Sequence, residues 1–357
     1  MLDILHVVGA RPNFMKAAPV IRAVHAHGGI AQTLVHTGQH YDANMSDIFF
    51  QQLGLPAPDI NLGIGSGSHA EQTAKVMLAF EQVVLDRQPD VVMVYGDINS
   101  TVAATLVSSK LGIQVAHVEA GLRSYDRTMP EELNRLVTDQ LADILLTPSD
   151  DGDANLLREG IPTERIHCVG NVMIDTLVRL LPLAAPPAGV TLDERYVLVT
   201  LHRPSNVDDP DALRRLIEAL ADLSRQVQII FPIHPRTRQR LATWGIDLLS
   251  SERFLILDPL GYLQFLALQR DATAVITDSG GIQEETTYLG VPCLTMRENT
   301  ERPITVTVGT NLLIGRDTAR LCTEVRRILD GEAKRGHIPP LWDGNAAQRI
   351  VDIVAAG

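Results

Sequence analysis

Three carboxylates stand where a parallel sheet would present them to a ligand. Asp97 follows the apolar run 90–95 and Glu119 follows 114–118, so each falls at the carboxyl end of a predicted strand. Glu131 lies in the first turn of a helix predicted to open at Pro130. One such carboxylate reads equally as a helix cap. Three together suit the taking and returning of protons. Arg135 stands four residues after Glu131 on the same helical face, and by spacing alone a plain surface ion pair is the simpler account of the two. A different chemistry is suggested by residues 274–290, where the β-branched run 274–277 is followed by Asp278-Ser279-Gly280-Gly281 and a helix over 282–289 closed by Gly290. Glycines let backbone approach a ligand closely, and the first amides of a helix lack internal partners, so this turn suits an anion such as a diphosphate. Ser-Gly-Gly alone also fits an ordinary strand-to-helix turn.

The elements that must position these groups alternate strand and helix along the chain. Strand 4–8, the turn Gly9-Ala10-Arg11-Pro12-Asn13 and a helix over 14–27 open a doubly wound α/β domain, with Arg11 and Lys16 in or near the turn or, with equal weight, solvated on the surface. Strand 31–37 leads to Gly38-Gln39-His40-Tyr41 and a short helix over 45–53. Gly63, Gly65 and Gly67 are spaced GxGxG without a clear preceding strand, which is not a dinucleotide fingerprint; a loop before helix 70–87 is the reading. Strand 142–147, helix 151–159 and strand 166–169 complete this half, and the Pro- and Ala-rich stretch 181–189 reads as a linker near a domain boundary. A second α/β pattern follows: strand 196–200 ending at His202, helix 210–223, strand 227–233 ending at His234, strand 254–257, helix 262–268, and strand 293–296 before Arg297. Helices over 318–330 and 346–355 finish the chain. A lone histidine at a strand end is more often structural than catalytic, and His202 and His234 start from that position.

At 357 residues, with 45% apolar and 21% charged residues, the chain has the profile of a globular protein large enough for two domains. A net charge of -12 argues against a nucleic-acid partner, so any anionic ligand must be held by local groups against the overall field. The first residues turn polar too soon for a signal peptide, and no apolar run is long enough to span a membrane. Cys168, Cys293 and Cys322 are widely spaced, without metal-ligand pairing, and are expected to be reduced, buried residues of a cytoplasmic protein.

Taken in order, GARPNFMKAAP, GDINST, HVEAGLRS, MPEELNR, DSGGIQEE and TERP make a specific set, and the chain resembles the non-hydrolysing UDP-N-acetylglucosamine 2-epimerases from about residue 5 to 349. The resemblance implies an α/β fold of two Rossmann-like doubly wound domains facing across a cleft (GT-B type), with residues 1–172 plus 345–357 as the first domain and 173–344 as the second. It implies interconversion of UDP-N-acetylglucosamine and UDP-N-acetylmannosamine by elimination of UDP to 2-acetamidoglucal and re-addition, without a cofactor or metal, in a homodimer. Because the C2 hydrogen is not activated by a carbonyl, its removal must be coupled to departure of the diphosphate, which calls for a placed base and for stabilisation of the leaving charge. By this resemblance Asp97, Glu119 and Glu131 match the family's acidic catalytic residues, and Arg135 and His202 its other active-site residues. Arg11 and Lys16 face the sugar diphosphate, Ser279, Gly280 and Gly281 hold phosphate oxygens, Glu285 accepts from the ribose hydroxyls, Arg302 binds in the same cleft and Phe265 lines the uracil pocket. Asp97 is the expected base, and His202 is expected to serve either the carbon or the leaving phosphate.

The chain departs from the family at several positions. Many members carry Glu in place of Asn13, HRREN in place of His202-Arg203-Pro204-Ser205-Asn206, and Arg in place of Tyr41; the last two motifs help form a regulatory substrate site in members that have one, so the departures argue against feedback activation. Leu260 stands where a Gln can be found, beside the expected uracil pocket. Competing readings are a glycosyltransferase of the same architecture, a relative acting on a UDP-2,3-diacetamido uronic acid with Arg123 or Arg127 as the cation for its C6 carboxylate, a hydrolysing relative, and a nucleotide-sugar-binding regulator without turnover. The three carboxylates are more acid-base equipment than glycosyl transfer needs.

Overall fold

The computed structural model describes residues 1–38, 53–247 and 251–356. Gln39, His40 and Tyr41, with residues 45–52 of the expected short helix, lie outside the described residues. Contacts divide the chain into two compact units, Met1–Thr176 with Pro340–Gly357, and Leu177–Pro339.

The first unit holds a seven-stranded sheet of β1 (Leu2–Val8), β2 (Ile30–His36), β3 (Ile60–Asn61), β4 (Val91–Tyr95), β5 (Gln114–Val118), β6 (Ile144–Thr147) and β7 (Ile166–Cys168), in the order β3-β2-β1-β4-β5-β6-β7. The second holds a six-stranded sheet of β8 (Tyr196–Thr200), β9 (Gln228–Pro232), β10 (Phe254–Leu257), β11 (Ala274–Thr277), β12 (Cys293–Thr295) and β13 (Asn311–Leu313), in the order β10-β9-β8-β11-β12-β13. Every pairing between these strands is parallel. The central strands are continuous apolar runs because helices cover both faces; β4 is buried at all five residues. In each sheet the order reverses once, between β1 and β4 and between β8 and β11, and crevices at such switch points, outside the carboxyl ends of the strands, are where open parallel sheets take ligands.

The helix Pro210–Leu223 illustrates how the covering layer forms. Asp209 accepts hydrogen bonds from the N–H groups of Asp211 and Ala212, capping two amides that have no helical partner, and Pro210 supplies the preset φ of a first turn. Leu213, Leu216, Ile217, Leu220 and Leu223 then recur at helical spacing and are buried against the β8 and β9 side chains Val197, Val199, Ile229 and Phe231. Each such side chain contributes about 1.5–3 kcal/mol by leaving water.

Some elements escape a sequence reading. β3 does precede Gly63, but two residues at the edge of the sheet are too few for alternation to register. The helix Val172–Leu180 has only nine residues in which to show its periodicity, and Pro235–Thr243 carries little apolar periodicity of its own. The expectation of three buried thiols needs correction: Cys293, in β12, is buried, whereas Cys168, ending the edge strand β7, and Cys322 are half-buried. Among the described residues no helix is long and apolar enough to cross a membrane.

Candidate functional site

In the first unit the expected residues gather at the ends of β4 and β5. Lys16, on the helix Arg11–His27, is not a solvated surface charge: it is 6% exposed and forms an ion pair with Glu119, which is 5% exposed. Arg11 is the first residue of the same helix. Room for the pair is made by Gly96, where a Cβ would come within 2.6 Å of Lys16 Nζ and the backbone takes φ +62°. Glu119 itself adopts φ +71°, a region non-glycine residues seldom occupy, at a cost of about 1–3 kcal/mol. The surroundings impose it: the amides of Glu119 and Ala120 both donate to the Leu146 carbonyl at 3.0 and 3.1 Å, and Gly121 N–H donates to Asp139 at 3.1 Å. The strained turn aims a carboxylate at the sheet's carboxyl edge.

Asp97 pairs with Arg135 at 2.5 Å, and its backbone carbonyl accepts from Asn134 Nδ2 at 2.9 Å. Here the surface pair expected from spacing is replaced. Arg135 is buried and bonds Asp97 and Glu132 (2.8 Å), and among the described residues Glu131 has no ion-pair partner. Glu132 is anchored by the N–H and hydroxyl of Ser124 and by Tyr125 N–H, each at 2.9 Å, which turns the 130–141 helix so that Glu131 faces a pocket instead. That pocket, about 270 Å³, is lined by Asp97, Asn99, Glu131, Asn134, His69 and Ser66 among others. It therefore sets two carboxylates among side chains that can hydrogen-bond a ligand.

A buried network lies beneath these turns. His117 meets the Gly96 carbonyl at 2.8 Å through Nε2 and Asp139 at 2.6 Å through Nδ1, while Asp139 also pairs with Arg123 at 2.7 Å. Burial works against the Asp139 carboxylate, and His117 and Arg123 outweigh it, holding its pKa below the ordinary value. Arg123 is 2% exposed and doubly bonded to Glu159 at 2.8 and 2.7 Å, so it is occupied and does not offer a cation to a substrate. Asn13, the departure from Glu, accepts from the N–H groups of Gly9 and Ala10 at 3.2 Å and donates to the Tyr95 carbonyl at 2.7 Å, tying the first turn to β4.

In the second unit Ser279 is the N-cap of the helix Gly280–Leu289, its side chain makes no capping bond, and Gly281 is the second helical residue. A Cβ at Gly280 would lie 2.5 Å from Arg302 Nη1, so the glycine admits the guanidinium beside the helix N-terminus. Arg302 is steered there by Glu284 at 2.8 Å and Glu301 at 2.6 Å, and Glu301 in turn pairs with Arg297 at 2.7 Å. A helix N-terminus and an adjacent arginine make a site for an anion. Glu285, on the same helix, is buried, accepts from the Tyr262 hydroxyl at 2.8 Å, and has its pKa pushed up to about 7 by burial. Phe265 is half-buried and, with Leu260 and Ile282, packs on the apolar cluster that includes Tyr196 and Ile230.

Neither His202 nor His234 stands alone. His202 Nδ1 lies 3.0 Å from Asp278, and the His202 and His234 rings pack with centroids 5.3 Å apart. Burial and the facing His202 lower the His234 pKa. Asp278, Glu132 and Asp139 escaped the sequence reading as functional candidates. For Asp278 the signal was present, since it follows β11 as Asp97 follows β4; Glu132 could not be told from Glu131 without knowing which face of the helix is buried.

A family model described as UDP-N-acetylglucosamine 2-epimerase matches residues 22–355. The chain is 44% identical to a UDP-N-acetylglucosamine 2-epimerase of Methanocaldococcus jannaschii over 98% of each chain, and 40% identical to a UDP-2,3-diacetamido-2,3-dideoxy-D-glucuronate 2-epimerase of Pseudomonas aeruginosa over 99% of each. It superposes with TM-score 0.90, at 43% identity and 100% coverage of both chains, on the crystal structure of the M. jannaschii UDP-GlcNAc 2-epimerase in complex with UDP-GlcNAc and UDP. Two parallel-sheet units of GT-B type, matched over nearly their whole length, make this chain a member of the UDP-N-acetylglucosamine 2-epimerase family.

Proposed function

We propose that the chain is a non-hydrolysing epimerase that inverts C2 of UDP-N-acetylglucosamine by eliminating UDP and adding it back. The observation that carries this reading is the set of carboxylates at the ends of β4 and β5, two of them paired with buried cations and Glu131 facing the same pocket as Asp97. Asp97 is assigned as base, with Glu119 and Glu131 returning the proton and Arg135 fixing Asp97; Lys16 orients Glu119, and Arg11 faces the diphosphate. In the second unit Ser279, Gly280, Gly281 and Arg302 hold phosphate oxygens, His202 serves the leaving phosphate, Glu285 accepts from the ribose and Phe265 packs on the base. No cofactor enters this chemistry.

The uronic acid reading has lost support, because one of its two candidate cations, Arg123, is committed to Glu159 and Asp139. The decisive experiment is proton NMR of UDP-N-acetylglucosamine with the protein in deuterated water, without nicotinamide or acceptor. Deuterium at C2 together with UDP-N-acetylmannosamine is the expected result. Free N-acetylmannosamine would point to hydrolysis, and no exchange would refute the assignment and direct attention to diacetamido uronic acids and then to glycosyl acceptors.

Glu285 gives this reading a pH dependence. Its pKa, about 7 against an ordinary 4.5, means the folded protein prefers the acid: burial costs no stability below the ordinary value, the cost grows as pH rises towards 7, and it is complete above. The carboxylate accepts from ribose hydroxyls through both oxygens, whereas the acid spends one of them on its own O–H. Uridine affinity is therefore expected to rise about tenfold between roughly pH 6 and pH 8, and Glu285→Gln to lose that rise, as read by calorimetry. Equal pH profiles in the two proteins would remove Glu285 from ribose recognition.

We place the enzyme in the cytoplasm as a homodimer. Support for a second copy comes from Leu133, Val137 and Leu141, exposed at four-residue intervals along one helix of the first unit, with Leu78 exposed on another. Sedimentation equilibrium is expected to give a dimer that Val137→Glu dissociates; a monomeric wild type would rule this out.

A further inference from the structure

Asp278 directly follows β11 at the switch point of the second unit, one residue before the Ser279-Gly280-Gly281 turn, and is 0% exposed. A bare carboxylate there would be costly to bury and would oppose an anion at the turn. Its oxygens are instead committed to the chain that follows β8. Oδ2 accepts from the His202 N–H at 3.0 Å, the Arg203 N–H at 2.9 Å and Asn206 Nδ2 at 3.0 Å, and Oδ1 faces His202 Nδ1 at 3.0 Å. Arg203 Nε donates back to the Asp278 carbonyl at 2.9 Å. The two loops that flank the switch point are thereby joined through one side chain.

A carboxylate oxygen accepts only from a nitrogen that carries hydrogen, so this contact places a proton of His202 on Nδ1 and leaves Nε2 as the ring atom that can meet a ligand. The His202 side chain is 38% exposed, so that atom is not sealed in the core. On its other side the ring packs against His234, whose Nδ1 accepts from the Arg236 N–H at 3.2 Å and is thus fixed in its own orientation. Burial alone would raise the Asp278 pKa; His202, Asn206 and the Arg203 N–H reverse that and keep the carboxylate ionised.

We propose that Asp278 is a positioning residue for the epimerase reaction, fixing the direction of the His202 ring and balancing its charge so that Nε2–H meets the departing phosphate oxygen. This rests on the function proposed above. In the elimination step the C2–H proton passes to a carboxylate base and the C–H electron pair becomes the C1–C2 double bond. The C1–O bond breaks with its pair on the β-phosphate oxygen. His202, as imidazolium, hydrogen-bonds that oxygen through Nε2, and the Asp278 carboxylate balances the ring's charge. In re-addition a different carboxylate delivers a proton to the opposite face of C2, the C1–C2 π pair forms the new C–H bond, and the phosphate oxygen gives its pair to C1 as it leaves His202.

The test uses Asp278→Asn in the full chain. An amide keeps one oxygen for the loop N–H groups but can turn its NH₂ towards Nδ1, which then carries no proton, so the doubly protonated ring loses both its Nδ1–H acceptor and its counter-charge. Ring-nitrogen NMR, with His202 assigned by its loss in His202→Gln, is expected to show Nδ1–H in the wild type and its loss in Asp278→Asn. The kcat per folded molecule is expected to fall by about a hundredfold or more while the UDP Kd stays within about threefold. Asn206→Ala, which loosens the same loop without touching Nδ1, is expected to lower Tm and keep Nδ1–H. Unchanged kcat in Asp278→Asn, an unchanged Nδ1–H signal, or a loss of activity that merely follows the folded fraction in both variants would overturn the proposal. A wild type that shows Nδ1–H yet fails to exchange C2 would sink the epimerase reading while leaving the Asp278 to His202 contact established.

Discussion

Asp97→Asn is expected to lower turnover by about three orders of magnitude, some 4 kcal/mol of barrier, while UDP binding changes less than about twofold. The substitution is nearly isosteric, and Arg135 keeps its second carboxylate, Glu132, at 2.8 Å, so the helix Pro130–Leu141 retains its anchor. What disappears is the only form of this side chain that takes a proton. Because the groups assigned to UDP, Arg11 apart, lie in the other unit, a selective loss of kcat is the signature of a residue that acts on the C2 hydrogen alone. Proton NMR in deuterated water reads both quantities: the rate of C2 exchange and the UDP Kd by titration. Exchange at the wild-type rate would remove Asp97 from the mechanism. Equal losses in kcat and UDP affinity would mean that Asp97 supports the fold.

Lys16→Met is expected to destabilise the protein by about 3–5 kcal/mol and to abolish turnover. Both members of the Lys16 and Glu119 pair have less than a tenth of their side chains exposed, so water cannot stand in for the missing ammonium. Gly96 is shaped around the lysine nitrogen, and methionine leaves that space without a charge. The double variant Lys16→Met with Glu119→Gln is expected to regain most of the stability and none of the activity, because it removes the uncompensated charge together with the proposed acid. Urea unfolding separates these outcomes. A loss below about 1 kcal/mol in the single variant would place the pair in solvent and return Lys16 to the role of a direct diphosphate ligand.

Much of the architecture was legible because its signals are local. A run such as Val275-Ile276 between a polar lead-in and a glycine turn is a strand in almost any surroundings, and β5, β8, β10 and β11 fall on the predicted residues. Alternation of such runs with amphipathic helices dictates parallel sheets, hence polar residues collected at their carboxyl ends. Asp97, Glu119, His202 and Asp278 could therefore be placed at strand ends from the chain alone.

Pairing is a different matter, since it depends on distances between segments far apart in sequence. Glu131 and Arg135 share a helical face, yet Arg135 bonds Asp97, which is 38 residues away, and Glu132, because burial of Glu132 against Ser124 and Tyr125 sets the helix rotation. Lys16 reads as a surface charge or a ligand until β1 and β4 are brought side by side and its nitrogen meets Glu119 across the gap left by Gly96. The left-handed turn at Glu119 has no sequence signal at all, for glutamate does not favour it; the Leu146 carbonyl on the neighbouring strand imposes it. The sequence by itself determined which residue types stand at the strand ends, because secondary structure follows local patterning. Which acid meets which cation, and which carboxylate stays open to a substrate, was decided only by the tertiary structure, because desolvation and charge pairing act through space and not along the chain.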